Sequence, residues 1–307
     1  MNNVNLNLEH LYISPLEHCN LSCKLCYTQK TQKKLSYSRI KQFVEQYQKA
    51  ISKYKVSLQT ITLCGGEVFL LDYVTKLTNW FCEHDVFVQV ITNGTINRLH
   101  EINSPNMVNI ITSIDGIERW HDMNRGRGKF SRAIEFIKSA QRQSFHTEIS
   151  SLVWKENFDD IEKFEKYVES ELNEIPVFYQ LRKSKIFLNK HPITNINTAG
   201  NEFGFLTQEQ TKWLMDNRRS FPPKGLGCHQ ISLMSDGNVY SCCEGIKPLL
   251  ENKEQRIENN SMMMGLIIDR YIERLSNNRR PVTSHRSLVT NCPEPGFCCG
   301  IYLDKSE

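Results

Sequence analysis

Apolar and polar positions alternate along this chain with two periods that exchange places. "LYISPL" (11–16) is short and apolar, as in a buried strand. In "SRIKQFVEQYQKAISKY" (38–54), Ile40, Phe43, Val44, Tyr47 and Ile51 recur at helical spacing and predict an amphipathic helix. Strand patterns follow at 58–63, 86–92, 107–114, 146–154 and 176–181. Helical patterns lie between them at 71–84, 130–143 and 157–172, with a short helical stretch near 96–102. Asn157 is placed to cap the helix it opens. Strands that alternate with helices imply a parallel sheet of about six β–α units. The fold class expected is α/β, a partial (β/α)6 barrel.

The last third has another texture. "TQEQTKWLMDNRRS" (207–220) predicts a helix, with Thr207 and Gln210 spaced as a capping box. "FPPKGLG" (221–227) punctuates the chain and sets a boundary between residues 1–222 and a small domain at 223–307. "HQISLMSDGNVYSC" (229–242) reads as a hairpin turning at Asp236-Gly237, and a further helix is expected at 263–276.

The net charge of +4 over 307 residues gives no argument for nucleic acid. No apolar run reaches membrane-spanning length, and the N-terminal stretch "MNNVNLNLEH" has no signal-peptide pattern, so a cytoplasmic protein without a membrane partner is expected. Eleven cysteines then become informative, because thiols kept reduced serve metals or chemistry more often than disulfides. Five precede residue 83, none lies between 83 and 227, and six follow. Two separate sites are the simplest reading.

The first is "CNLSCKLCY" (19–27), where Cys19, Cys23 and Cys26 follow the first strand at C-x3-C-x2-C spacing. A loop can wrap three thiols round one centre, as a strand cannot. Zinc would need a fourth ligand, for which His18 is adjacent. An iron–sulfur cubane held by three cysteines would leave one iron open. This stretch resembles the radical S-adenosylmethionine enzymes, in which three cysteines so spaced hold a [4Fe–4S] cluster whose open iron chelates the methionine moiety. Leu25 stands where that family usually has an aromatic.

Other segments carry the same resemblance. "CGGE" (64–67) matches the family segment that binds the methionine amino group, which implies Gly65, Gly66 and Glu67 at the cofactor. "TNGT" (92–95) contributes Asn93. "TSIDG" (112–116) resembles a ribose-contacting segment, with Ser113 and Asp115 as candidates. "HDMNRGRGKF" (121–130) resembles the loop that follows in peptide-modifying members, and its Arg125 is placed to pair with a carboxylate. Each segment follows a successive strand, on the face that carries active sites in parallel barrels. By the same logic Ser150 or Ser151, of which Ser151 is taken, and Gln180 or Arg182, of which Gln180 is taken, should line the cavity.

The second group resembles the C-terminal SPASM or shortened Twitch extension of this superfamily, which implies one auxiliary [4Fe–4S] cluster. Cys228, Cys242, Cys292 and Cys298 are its expected ligands, with Cys243 or Cys299 as substitutes. Structural zinc is the bland alternative. Cys64 and Cys82 are read as ordinary buried thiols.

The resemblance implies two clusters, S-adenosylmethionine as cofactor and a 5′-deoxyadenosyl radical that abstracts hydrogen. The motif set points to a ribosomally made precursor peptide as substrate, modified by crosslinking, epimerisation or backbone excision. A separate leader-recognition protein, or a leader docked directly on the barrel, and an electron donor of flavodoxin or ferredoxin type are expected. Dehydrogenation of a small metabolite alcohol is the enzymatic alternative, and a zinc-stapled binding module without catalysis is the other.

Overall fold

The computed structural model describes residues 8–26, 28, 30–180, 203–204, 206–217, 231–241, 248–250 and 261–277. The chain alternates β1 (His10–Ser14), α1 (Tyr37–Ile51), β2 (Thr60–Leu63), α2 (Val74–Cys82), β3 (Phe87–Thr92), β4 (Val108–Ser113), α3 (Glu118–Arg125), α4 (Lys129–Arg142), β5 (His146–Val153), α5 (Ile161–Leu172) and β6 (Pro176–Gln180). It continues with α6 (Gln208–Asp216), β7 (Ile231–Met234), β8 (Val239–Tyr240) and α7 (Ser261–Asn277).

The described strands form one sheet in the order β6-β5-β4-β3-β2-β1-β7-β8, parallel throughout except for the β7–β8 hairpin. The β–α repeat read from the sequence is therefore present, and the fold is the α/β architecture expected. The hairpin turns at Asp236-Gly237 as predicted. Its first strand pairs in parallel with the free edge of β1, Leu11 facing Ile231 and Ile13 facing Leu233. Residues assigned to the C-terminal unit thus extend the barrel sheet. Local patterning could not show this, because the pairing joins segments more than 200 residues apart.

Alternation gives the sheet two unlike faces. Leu11, Ile13, Ile61, Leu63, Val88, Val90, Val108 and Ile110 are fully buried and pack with Ile40, Phe43, Val44 and Tyr47 of α1. These are the helical positions that the sequence stripe marked. Met264, Ile267, Ile268 and Tyr271 of α7 join the same core. Ile149, Val153 and Phe178 pack with α4, α5 and α6 in a second cluster. The opposite face carries Tyr12, Thr62, Gln89, Asn109 and His146.

The caps follow the expected chemistry in one case and depart from it in another. Thr207 Oγ1 accepts the Gln210 N–H at 3.1 Å while Gln210 Oε1 accepts the Thr207 N–H at 3.0 Å, a complete capping box. Asn157 does not cap a helix with its side chain. Its Oδ1 accepts the Trp154 N–H at 2.8 Å and its Nδ2 donates to the Leu152 carbonyl at 3.0 Å, closing the turn after β5. Of residues 121–130, expected to be loop, 121–125 complete the two-turn helix α3 and 129–130 open α4. Among the described residues, no helix is long and apolar enough to cross a membrane.

Candidate functional site at the C-terminal rim

Beyond β1 the chain makes a closed loop. The Leu35 N–H returns to the Pro15 carbonyl at 2.8 Å and the Glu17 N–H reaches the Lys33 carbonyl at 3.1 Å. Within it Cys19, Cys23 and Cys26 are free, partly exposed thiols. The segment after β2 fastens the entry to this loop. The Gly66 N–H donates to the Leu16 carbonyl and the Glu67 N–H to the His18 carbonyl, each at 3.0 Å. A Cβ on Gly66 would lie 1.9 Å from the His18 oxygen, and one on Gly65 (φ +151°) 2.4 Å from the Leu16 oxygen. The glycines therefore admit the backbone of the cysteine loop itself, a closer approach than any side chain allows.

Glu67, expected at the cofactor's amino group, is engaged inside the protein. Its carboxylate is wholly buried. It accepts the Phe69 N–H at 3.1 Å, the Thr92 hydroxyl at 2.8 Å and the Asn93 N–H at 2.8 Å. It ties the end of β2 to the end of β3. Burial raises its pKa, and the three donors oppose that rise. Asn93, so held, turns its amide to the cysteine loop: Nδ2 lies 3.6 Å from Cys19 Sγ and 3.0 Å from Asn20 Oδ1.

The exit half of the loop is held from β4 and α3. Asn124 accepts the Lys24 N–H on its main-chain carbonyl and the Leu25 N–H on Oδ1, both at 2.9 Å. Its Nδ2 donates to Asp115 Oδ2 at 2.7 Å. Asp115 is fully buried and takes Arg125 in a forked pair, Nε to Oδ2 at 2.5 Å and Nη2 to Oδ1 at 3.0 Å. The Leu152 N–H from β5 adds a donor at 3.2 Å. Burial alone would raise the Asp115 carboxyl, but the Arg125 charge and these donors hold it below the usual aspartate value. Burial likewise pushes the Cys23 thiol up, to about 11, against the pull of Arg125. Arg125 also interacts electrostatically with Cys26. His121 accepts the Asp115 N–H on Nδ1 at 3.2 Å, and burial lowers its pKa to about 4.

The structure thus brings Cys19, Cys23, Cys26, Gly65, Gly66, Glu67, Asn93, Asp115 and Arg125 to one rim. Ser113 ends β4 half-buried, in register with Ser150. The choice of Ser151 over Ser150 is corrected: Ser151 shares the face of Ile149 and Val153, is 1% exposed, and sits toward the helices. Gln180 ends β6 in register with Val153. Cys64 is half-buried rather than buried, whereas Cys82 is buried as expected. Arg182 and the six later cysteines, Cys228, Cys242, Cys243, Cys292, Cys298 and Cys299, lie outside the described residues. Sequence reasoning missed Asn124, although it adjoins Arg125 in a stretch already singled out.

Among the described residues no three His, Cys, Asp or Glu side chains converge tightly enough for a single metal ion. A cubane spreads three thiolates over three irons, so its donors need not meet at one point. Three free sulfurs on one loop, with a guanidinium beside two of them, suit such an anionic cluster in charge as well as in number.

A parallel β–α sheet with three free loop cysteines at its C-terminal rim is the arrangement that the sequence resemblance implied. The chain belongs to the Radical SAM superfamily, whose sequence profile matches residues 13–168, just over half of its length. It is 27% identical over 147 residues to the sporulation killing factor maturation protein SkfB of Bacillus subtilis. That match covers 47% of this chain but only 35% of SkfB, about a third of the relative's length. Among solved structures, Streptococcus suis SuiB bound to its precursor peptide SuiA superposes with a TM-score of 0.58, at 15% identity, over 95% of this chain and 71% of that one. SuiB bound to S-adenosylmethionine gives 0.54 at 14% identity, over 76% and 60% of the two chains. A structure of anSMEcpe with bound S-adenosylmethionine gives 0.56 at 19% identity, over 82% and 81%. At these identities the structural matches establish the fold. The chain is thus a member of the Radical SAM superfamily, similar over about half of its length to a maturation protein.

Proposed function

We propose that this protein modifies a ribosomally made precursor peptide at a site built on Cys19, Cys23 and Cys26. These three thiols hold the [4Fe–4S] cluster. When bound, that cluster supplies the electron that cleaves S-adenosylmethionine to the hydrogen-abstracting 5′-deoxyadenosyl radical. The chain's own residues position and shield. Gly65 and Gly66 let the strand-two segment clamp the cysteine loop from below. Asn93 offers its amide beside Cys19. Ser113 and Arg125 stand on the rim where the cofactor's polar groups would lie. Glu67 and Asp115, being buried, act through Asn93, Arg125 and Asn124. An auxiliary cluster on Cys228, Cys242, Cys292 and Cys298, with Cys243 or Cys299 as substitutes, completes the reading, with an electron donor of flavodoxin or ferredoxin type.

The observation that carries this proposal is the cysteine loop, fastened from both sides while its three sulfurs remain free. The kinship with SkfB supports a peptide substrate. Iron and sulfide analysis after anaerobic reconstitution tests the cofactors: about eight irons for the wild type and about four for the Cys19/Cys23/Cys26→Ala variant. Four in both removes the auxiliary cluster, and zinc without iron overturns the radical reading. A mass change in a precursor peptide, dependent on S-adenosylmethionine, tests the substrate. Two hydrogens lost from a small alcohol instead would identify a dehydrogenase.

A further inference from the structure

The carboxylate of Glu17 joins three segments of the chain. Glu17 stands two residues before Cys19, at the entry to the cysteine loop. Its Oε2 accepts the Thr31 hydroxyl from the returning limb of that loop. Its Oε1 accepts the Ser235 hydroxyl at 3.1 Å from the β7–β8 hairpin, 218 residues further along the chain. The main chain repeats the first link, because the Glu17 N–H donates to the Lys33 carbonyl at 3.1 Å.

The hairpin holds Ser235 in place for this contact. Ser235 follows β7, whose last residue, Met234, lies in register with Ser14. The Gly237 N–H donates to the Met234 carbonyl at 2.8 Å and the Met234 N–H to the Asn238 carbonyl at 3.0 Å, which closes the turn. Asp236 accepts the Asn238 N–H at 2.9 Å and the Tyr240 hydroxyl at 2.7 Å. Ser235 itself is buried. A hydroxyl delivered to a carboxylate by a fixed turn gives up little further freedom, and a charged acceptor strengthens the bond.

We propose that Glu17 is a positioning residue that makes the cysteine loop's hold on its cluster depend on the seating of the C-terminal hairpin. With the hairpin seated, Glu17 draws the entry limb of the loop against the returning limb. The span available to Cys19, Cys23 and Cys26 is then set partly from outside the loop. Without the Ser235 hydroxyl, the carboxylate keeps Thr31 but loses its second anchor. In the sequence Cys228 and Cys242 flank this hairpin, so Glu17 also links the two cysteine groups. The inference rests on the reading of Cys19, Cys23 and Cys26 as cluster ligands; it needs no auxiliary cluster.

The test uses the full-length, reconstituted protein and follows loss of iron to a chelator. The electron paramagnetic resonance signal that responds to S-adenosylmethionine marks the first cluster. Ser235→Ala should lose that signal about tenfold faster than the wild type, the value of one hydrogen bond. Glu17→Leu should lose it at least as fast, and the Glu17→Leu/Ser235→Ala double variant no faster than Glu17→Leu, because both changes cut one link. Glu17→Gln should hold iron like the wild type: its Oε1 still accepts from Ser235 and its Nε2 donates to the Thr31 oxygen. A Ser235→Ala protein that melts earlier yet keeps its iron, or a double variant that loses iron faster than Glu17→Leu, overturns the inference. If Glu17→Leu fails to fold, Ser235→Ala against Glu17→Gln still decides. A wild type with no responsive signal removes the cluster reading and this inference with it; a responsive wild type matched by Ser235→Ala removes this inference alone.

Discussion

Asn124 holds Leu25: its side-chain Oδ1 accepts the Leu25 N–H at 2.9 Å, between Cys23 and Cys26. The residue is 2% exposed and also donates to Asp115. Asn124→Ala leaves two buried partners short of a hydrogen bond, at about 1–3 kcal/mol each. Reconstituted Asn124→Ala should carry less iron at the first site, with an altered electron paramagnetic resonance signal in the reduced state. A variant that melts earlier yet keeps the wild-type signal and iron content would reduce Asn124 to a packing role.

The Asp115–Arg125 pair predicts an acid limit to stability. Asp115 is 0% exposed at its side chain and Arg125 16%. Removing one partner of a buried pair costs about 3–5 kcal/mol, so Asp115→Asn should unfold at markedly lower denaturant. The Asp115 carboxyl titrates below its ordinary 3.8. Its stabilisation is therefore complete above that value and is lost as pH falls through the lower, folded one. The stability gap between wild type and Asp115→Asn should stay constant at higher pH and close below about 3.8. Glu67 runs the other way. Its pKa is raised above 4.5, so its contribution is best at low pH and weakens as pH rises through the folded value. A gap that narrows between neutrality and pH 5 would contradict the assignment to Asp115.

Much of this architecture is legible in the sequence because it is local. The stripe Ile40–Phe43–Val44–Tyr47–Ile51, the Thr207–Gln210 box and the cysteine spacing each state their own structure. Three features needed the third dimension. The face of Ser151 depends on register, and a shift of one residue exchanges it with Ser150. The pairing of β7 with β1 closes over a separation that no local pattern encodes. Glu67 matched its motif in type, yet its depth beneath the rim follows from Thr92 and Asn93 arriving on another strand.

Gly66 gives a steric prediction. Its missing Cβ would stand 1.9 Å from the His18 oxygen, backbone against backbone, with no flexible side chain to yield. Gly66→Ala should exceed the usual overpacking cost of about 1–3 kcal/mol or push the cysteine loop outward. Either result lowers iron loading at the first site. On the two-cluster proposal the loss is confined to the first site, and reconstitution should fall from about eight irons toward about four. Full loading of Gly66→Ala would show that this approach tolerates a methyl group.

Glu67→Gln separates two roles for one carboxylate. In the structure Oε1 accepts from Phe69 and Thr92, and Oε2 accepts the Asn93 N–H. A glutamine supplies one acceptor oxygen and sets an NH2 against an N–H or a hydroxyl donor. The buried mismatch costs about 1–3 kcal/mol, which at about 2–4 °C per kcal/mol for a chain of moderate size lowers the melting temperature by several degrees. Asn93 should shift with it, and iron loading beside Cys19 should fall. Were the carboxylate instead the acceptor for the cofactor's ammonium, Glu67→Gln would melt like the wild type and load iron normally. It would lose only affinity for S-adenosylmethionine. Thermal melting and equilibrium binding of S-adenosylmethionine, measured on the same preparation, separate the two roles.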